Sequence, residues 1–362
     1  MKMIVMRSRT RAVIAGATAL AALTLAGCGD SSASGSGGDK LDVVASFYPL
    51  EFIARTVGGD AVNVTTLTAP GVEPHDLELT PKQVGEIAEA KLVVYEKGLQ
   101  PAVDEAIDQN AKETGFDIAP AAKLEATGAD FGEHEEGEGH EGEGHEGEGH
   151  EGEGHEGEEH AEESSTPATP AAYTGTAAPA ARPAEAGNEA LDPHFWLDPV
   201  RYAGVVQAIT DKLVETDSAN ADGYKARAKV LLDEVGKLDS EFRTGLANCR
   251  LKTFVTSHEA FAYLAKRYGL TMVGIAGFTP DAEPTPARIK EVQDIVKAQH
   301  VTTIFYEELV SPKVAETIAH DVGVKTAVLS PIEGLSDANS QETYLTLMRE
   351  NLQELRKANS CA

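Results

Sequence analysis

Positive charge is what this chain of 362 residues most lacks: 31 Lys and Arg stand against 59 Asp and Glu, a formal net charge of -28. With no basic stripe to neutralise phosphates, a nucleic-acid partner is set aside. Long apolar runs are missing too. The stretch from Ala12 to Ala26 falls short of the ~20 residues that a membrane-spanning helix needs, which argues against a retained span. Tryptophan occurs once, and cysteine only at positions 28, 249 and 361. There is also no His-Glu-x-x-His pair, the helical signature of many zinc hydrolases.

What the chain holds in excess is concentrated between Glu133 and Glu163, which supplies fifteen of the carboxylates and six of the eleven histidines. There His-Glu-Gly-Glu recurs from His140, His145, His150 and His155, with His134 and His160 at its two ends. Almost nothing in the segment is apolar, so it cannot bury enough surface to offset the entropy of ordering, and disorder is expected. Imidazoles suit zinc, copper and nickel, and a mobile chain can gather several around one ion. A solvated acidic linker is the plainer reading, but a linker needs no histidine at every fifth residue. A tract rich in Pro, Ala and Thr, Ser164 to Pro183, extends the insertion to about 130–190. Its length is tolerable because each doubling of a loop costs only about 0.6 kcal/mol.

At the start, Lys2, Arg7, Arg9 and Arg11 precede the apolar run, the charged-then-apolar layout of an export signal over 1–27. It ends in Leu25-Ala26-Gly27-Cys28, which resembles the lipobox of bacterial lipoproteins. That resemblance implies a lipidated Cys28, followed by a flexible tether over 28–40. A free buried thiol is the alternative for Cys28. In an oxidising, exported setting Cys249 and Cys361 are expected to form a disulfide rather than two buried thiols. The bond would pin the C-terminus to the start of the second half.

The ~320 residues beyond the signal exceed one comfortable core, which favours two lobes. Strands are predicted at Leu41–Ser46, Val62–Leu67, Leu92–Tyr95 and Phe116–Ala119, with a helix that Phe47-Tyr48-Pro49 leads into, Leu50, Ile53, Ala54 and Val57 on one face, and another over Pro81–Ala90. Beyond the insertion a helix runs from Pro199 to about Glu215, capped by Asp198. Asp222–Ala247 then reads as one long amphipathic helix, with apolar residues spaced from Tyr224 to Leu246 and no proline. Strands resume near Thr253–Ser257, Thr271–Ile275, Thr302–Phe305 and Thr326–Leu329. Alternating strands and helices argue for an α/β fold with parallel sheets covered on both faces. The expected division is a first lobe over 41–190 completed by 191–221, a linking helix over 222–247 and a second lobe over 248–362.

Outside the repeat, histidine occurs only at 75, 194, 258, 300 and 320. His300 and His320 stand in polar surroundings and are expected at the surface. His75 lies in a proline-punctuated loop just past a strand, His194 beside the only tryptophan, and His258 directly after a strand, where it is expected to open a helix. In open parallel sheets ligands bind beyond the carboxyl ends of the strands, where His75 and His258 fall. Singly, each is more often a loop or capping residue. Three such histidines, drawn from both halves, point to an ordered metal site.

The blocks Gly71-Val72-Glu73-Pro74-His75-Asp76, His194-Phe195-Trp196-Leu197-Asp198-Pro199, Ser257-His258-Glu259-Ala260-Phe261 and Pro280-Asp281-Ala282-Glu283-Pro284 resemble, in order and spacing, the zinc-type substrate-binding lipoproteins of bacterial ABC importers, within the zinc and manganese solute-binding family. The resemblance runs from about Leu41 to the C-terminus, interrupted by the insertion. It implies two (β/α) lobes, each with a four-stranded, mainly parallel sheet, joined by one long helix, with the metal in the interlobe cleft. It further implies His75, His194 and His258 as ligands of a zinc ion, a permease and its ATPase as partners, and a monomer anchored by lipid to the outer face of the cytoplasmic membrane. Manganese-type relatives carry glutamate where His258 stands, and three nitrogen ligands suit zinc better than manganese.

Where several members place an aspartate, this chain has Leu329-Ser330-Pro331. A neutral serine is a poor zinc ligand, so water or a nearby carboxylate is expected to complete the shell. Glu307 is the first candidate, either as ligand or as an acceptor that holds a histidine. Two readings of other classes stand beside transport. One is a zinc hydrolase, with Glu259 or Glu307 as base. The other is a metal-storage or adhesion lipoprotein in which the repeat does the binding.

Overall fold

The computed structural model describes residues 40–125, 191–338 and 340–362. Cys28 and the repeat histidines His134, His140, His145, His150, His155 and His160 lie outside the described residues. The order in the first half is β1 (Leu41–Ala45), α1 (Tyr48–Gly58), β2 (Val62–Thr66), α2 (Pro81–Glu89), β3 (Leu92–Tyr95), α3 (Pro101–Asn110), β4 (Gly115–Asp117) and the short α4 (Ala119–Ala122). Two helices follow the insertion, α5 (Pro199–Thr216) and α6 (Ala221–Leu246). The second half continues with β5 (Thr253–Thr256), α7 (Ala262–Tyr268), β6 (Thr271–Gly274), α8 (Pro286–Ala298), β7 (Thr303–Tyr306), α9 (Lys313–Val322), β8 (Lys325–Val328) and α10 (Tyr344–Ala358).

The strands make two four-stranded sheets in the same order, β2-β1-β3-β4 and β6-β5-β7-β8, with every pairing parallel. Because successive side chains leave a strand on opposite faces, each sheet feeds two cores. Val43, Ala45, Val64 and Leu92 of the first sheet and Phe254, Met272 and Phe305 of the second belong to one apolar cluster that runs through α6. Val44 and Val93 face the other way, onto α2 and α3. Val255 and Ile304 likewise face α8 and α9.

The long helix is the common wall. Tyr224, Ala228, Leu231, Val235, Leu238, Phe242 and Leu246 are all buried along one stripe of α6, which extends about 39 Å at 1.5 Å per residue. Each Leu, Val or Phe among them contributes about 1.5–3 kcal/mol by leaving water. Arg227 fastens α6 to the end of α1 through the Val57 and Gly58 carbonyls, both at 2.7 Å. Beyond α6, Cys249 is disulfide-bonded to Cys361, 112 residues away and just past α10. Closing a loop of that size contributes up to ~4–5 kcal/mol by chain entropy.

Two local expectations shift. The fourth strand lies at Gly115–Asp117 because Pro120 has no N–H for a ladder and instead opens α4. His258 does not open a helix: its carbonyl accepts the Thr256 hydroxyl at 2.7 Å and the Ala260 N–H at 3.1 Å, and α7 begins only at Ala262.

Candidate metal centre

Loops at the carboxyl ends of β2, β5, β7 and β8, with the segment that enters α5, meet in one crevice, as expected of parallel sheets. After β2 the chain turns at Gly71, whose φ of +80° falls in the region that favours glycine. The buried Gln100 amide then donates to Thr68 Oγ1 at 3.0 Å and to the Pro74 carbonyl at 3.1 Å, and the His75 N–H donates to Glu73 Oε1 at 3.0 Å. These bonds set the backbone that carries His75.

His194 enters from the far side, just before Asp198 caps α5 by accepting the Val200 N–H at 2.8 Å. Its own N–H and its Nδ1 both meet Asp192 Oδ1, at 2.9 and 2.8 Å. An Nδ1–H donating to that carboxylate leaves Nε2 as the ring atom that faces inward, and its lone pair serves an ion once its proton is displaced. His258 repeats the device in the second lobe, with Nδ1 2.7 Å from Glu307 Oε1, and the Ser257 hydroxyl steadies the same oxygen.

The three imidazoles converge on the carboxylate of Glu333, in the loop after β8. Glu333 Oε1 lies 3.3 Å from His194 Nε2, 3.3 Å from His258 Nε2 and 3.5 Å from His75 Nε2, and the two buried Nε2 atoms are 3.3 Å apart. One ligand atom from each of the four residues lies within 4.8 Å of every other. A tetrahedral ion with ligands at about 2.0–2.1 Å spaces them by about 3.3 Å, so three of these groups already sit at that separation. Both Glu333 oxygens and His75 Nε2 are buried with no hydrogen-bond partner among the described residues. Unpartnered polar atoms aimed at one point are the mark of a site for a cation.

Electrostatics favour the same conclusion. Burial opposes a charged Glu333, yet the surrounding His194, His258 and His75 hold its carboxyl well below the usual range. Burial also opposes a charged His258, but the adjacent Glu307 and Glu333 outweigh it and push the ring up to about 10. His194 is raised too, against burial, by its hydrogen bond to Asp192 and by the Glu333 carboxylate 3.3 Å from its Nε2. Glu73 is pushed up to about 8, by burial first and the charge of Glu333 second. In the metal-free protein, protons on histidine balance the buried acid, and an ion must displace them.

His75, His194 and His258 are thus brought together, whereas His300 and His320 are exposed. Glu307 takes the acceptor role at His258 and is not among the converging atoms. Ser330 is held by Asn351 at both its N–H (2.9 Å) and its carbonyl (2.6 Å). Glu259 turns to Arg288 at 3.7 Å. The residue that sequence reasoning passed over is Glu333, three positions beyond the serine that drew attention. Its one positional cue is that it follows a strand at the carboxyl end, as His258 does; beside Ser330, Ser336 and Asp337 its residue type does not set it apart.

A family model described as the periplasmic zinc-uptake complex component A matches residues 43–358. The chain is 34% identical over 349 residues to the high-affinity zinc uptake system protein ZnuA of Bacillus subtilis, covering 92% of this chain and 93% of that protein. It is 32% identical to the zinc-binding lipoprotein AdcA of Streptococcus pneumoniae, covering 93% of this chain but 59% of that longer protein. Among solved structures, the Zn(II)-bound ZnuA-like domain of pneumococcal AdcA superposes with a TM-score of 0.63 at 30% identity, covering 88% of this chain and 99% of that one. The laminin-binding protein Lmb of Streptococcus agalactiae, described as an adhesin with metal-transporting activity, gives 0.67 at 29% identity, with coverage of 88% and 99%.

Proposed function

The chain belongs to the zinc-uptake complex component A family, and from that premise we propose that it captures a zinc ion outside the cytoplasmic membrane and hands it to an ABC permease driven by its ATPase. His75, His194, His258 and Glu333 hold the cargo. The observation that carries this reading is their convergence, three imidazole nitrogens and one carboxylate oxygen within 4.8 Å of one another. Three nitrogens and one oxygen in a tetrahedron suit zinc, whereas manganese favours carboxylate-rich octahedral shells.

A zinc hydrolase keeps one coordination position open for water, and a fourth protein ligand at Glu333 closes it. The named relatives are described as a high-affinity zinc uptake system protein and a zinc-binding lipoprotein. In the transport reading the chain works as a monomer, tethered by lipid at Cys28. The repeat histidines His134, His140, His145, His150, His155 and His160 form a collecting arm that raises local zinc through weak sites.

Metal analysis and chelator competition test the proposal together. Deleting 133–163 should lower the zinc bound per molecule and leave one tight site. His75→Ala combined with His258→Ala in the full chain should remove the tight site and leave the weak ones. Retention of tight binding by that double variant would favour storage on the arm over capture between the lobes.

A further inference from the structure

Glu333 faces only the three histidine rings, 3.3–3.5 Å from its Oε1, and among the described residues no group outside that cluster is a hydrogen-bond partner of its carboxylate. What carries it to them is the backbone on either side. Ile332, immediately before it, adopts φ +59°, a left-handed conformation that is a genuine outlier for a β-branched residue. Ile332 is fully buried, and its N–H is turned onto Ser330 Oγ at 3.3 Å. Such a conformation persists only where the surroundings over-determine it.

Here they do. The Pro331 carbonyl accepts the indole N–H of Trp196 at 2.6 Å, and the Leu335 carbonyl accepts the Gly71 N–H at 2.7 Å. Trp196 is fully buried, and its own carbonyl accepts the buried Tyr344 hydroxyl at 2.6 Å. The two donors stand on the loops that carry His194 and His75, so the first lobe grips the segment on both sides of Glu333.

We propose that Trp196 is a positioning residue for the ion. Its indole N–H, with the Gly71 N–H, clamps Pro331–Leu335 in the left-handed turn that aims Glu333 at the three histidines. Opening the clamp lets Ile332 relax and withdraws the carboxylate, which releases the cargo. The inference rests on the ligand assignment above, and Trp196 acts only through Glu333.

The test is a double-mutant cycle on the full chain, read as zinc affinity by chelator competition and as the dissociation rate into excess chelator. Trp196→Phe keeps an aromatic ring beside Phe47 but removes the N–H together with part of the indole, and the cycle cancels the packing loss common to both backgrounds. In the native background it should weaken zinc about tenfold, the low end of the range for outer-shell partners, with faster release. In a Glu333→Gln background the same change should shift affinity less than about twofold. The absorption spectrum of the Co(II)-loaded Trp196→Phe protein should move toward that of Glu333→Gln. Tyr344→Phe, which frees the Trp196 carbonyl, should act in the same direction and serves if Trp196→Phe fails to fold. Equal losses in both backgrounds, or no loss in the native one, would overturn the clamp. Unchanged zinc affinity in Glu333→Gln alone would overturn the ligand assignment and the clamp with it.

Discussion

His194 and His258 are each gripped at Nδ1 by a buried carboxylate, Asp192 at 2.8 Å and Glu307 at 2.7 Å, whereas the only acid among the described residues that pairs with the His75 ring is Glu333 itself. The exposures run in parallel: the His75 side chain is 8% exposed, against 0% for His194 and 1% for His258. A carboxylate on Nδ1 fixes tautomer and ring plane before any ion arrives. His194 and His258 are therefore a standing half-site, two corners of a tetrahedron already assembled. His75 is placed by its loop alone, which makes that loop the natural gate for entry.

The contrast is broken most severely by deleting one ligand from each class. When zinc is present at a thousand times its dissociation constant, binding should stabilise the protein by about 4 kcal/mol. His258→Ala should abolish that gain. His75→Ala, leaving the half-site, should weaken binding by about a hundredfold and keep roughly 1.4 kcal/mol of it. Thermal melts with and without zinc measure both, and equal losses would mean that the preassembled pair counts for no more than the gate.

Next come the carboxylates that hold the pair. Asp192→Asn and Glu307→Gln should each cost about 10–100-fold in zinc affinity with the four ligands intact. Chelator competition measures the loss. If neither moves the affinity, Asp192 and Glu307 are merely adjacent to the rings they touch.

The pH dependence sharpens the comparison further, because the half-site also holds the protons. His258 rises from 6.5 to about 10 on folding. Its contribution to the stability of the metal-free protein is thus fully present below about 6.5 and lost as the pH climbs through about 10. Zinc binding runs in the opposite sense: the ion needs the neutral ring, so affinity should rise about tenfold per pH unit for each proton expelled. Titration calorimetry near neutral pH, in buffers of different ionisation enthalpy, should count at least one proton released per zinc in the native protein and fewer in Glu307→Gln. Release of none would contradict the protonated half-site.

How far all this was visible beforehand follows from the physics of each part. Both parallel sheets were legible because their central strands, buried on both faces, read as short apolar runs such as Leu92–Tyr95 between helical periodicities, and α6 was legible from its unbroken stripe. The histidines stood out because so few lie outside the repeat. Glu333 did not, since one glutamate among 59 acids carries no compositional signal and only the fold brings the loop after β8 to the loops after β5 and β7. Nor did sequence distinguish Asp192 from the other acids around it. Its role comes from the two-residue reach back onto the His194 ring, a property of local backbone geometry.

The gate itself offers the smallest and most selective perturbation. Gln100, 1% exposed at the start of α3, holds the His75 loop through the Thr68 hydroxyl and the Pro74 carbonyl and touches neither buried histidine. Gln100→Leu keeps the side-chain bulk and removes both donated bonds, which should destabilise the protein by about 1–3 kcal/mol. Thr285→Ala, which removes the α8 cap and its bond to the Arg288 N–H at 3.2 Å, costs about 1 kcal/mol on an element that does not carry the His75 loop and is the matched control. If His75 is held only by its loop, Gln100→Leu should speed zinc release severalfold whereas Thr285→Ala should not, and stopped-flow transfer to a chelator separates the two. Equal rates would mean that the His75 ring is held by the converging ligands themselves, and the distinction between a fixed half-site and a mobile gate would have to be given up.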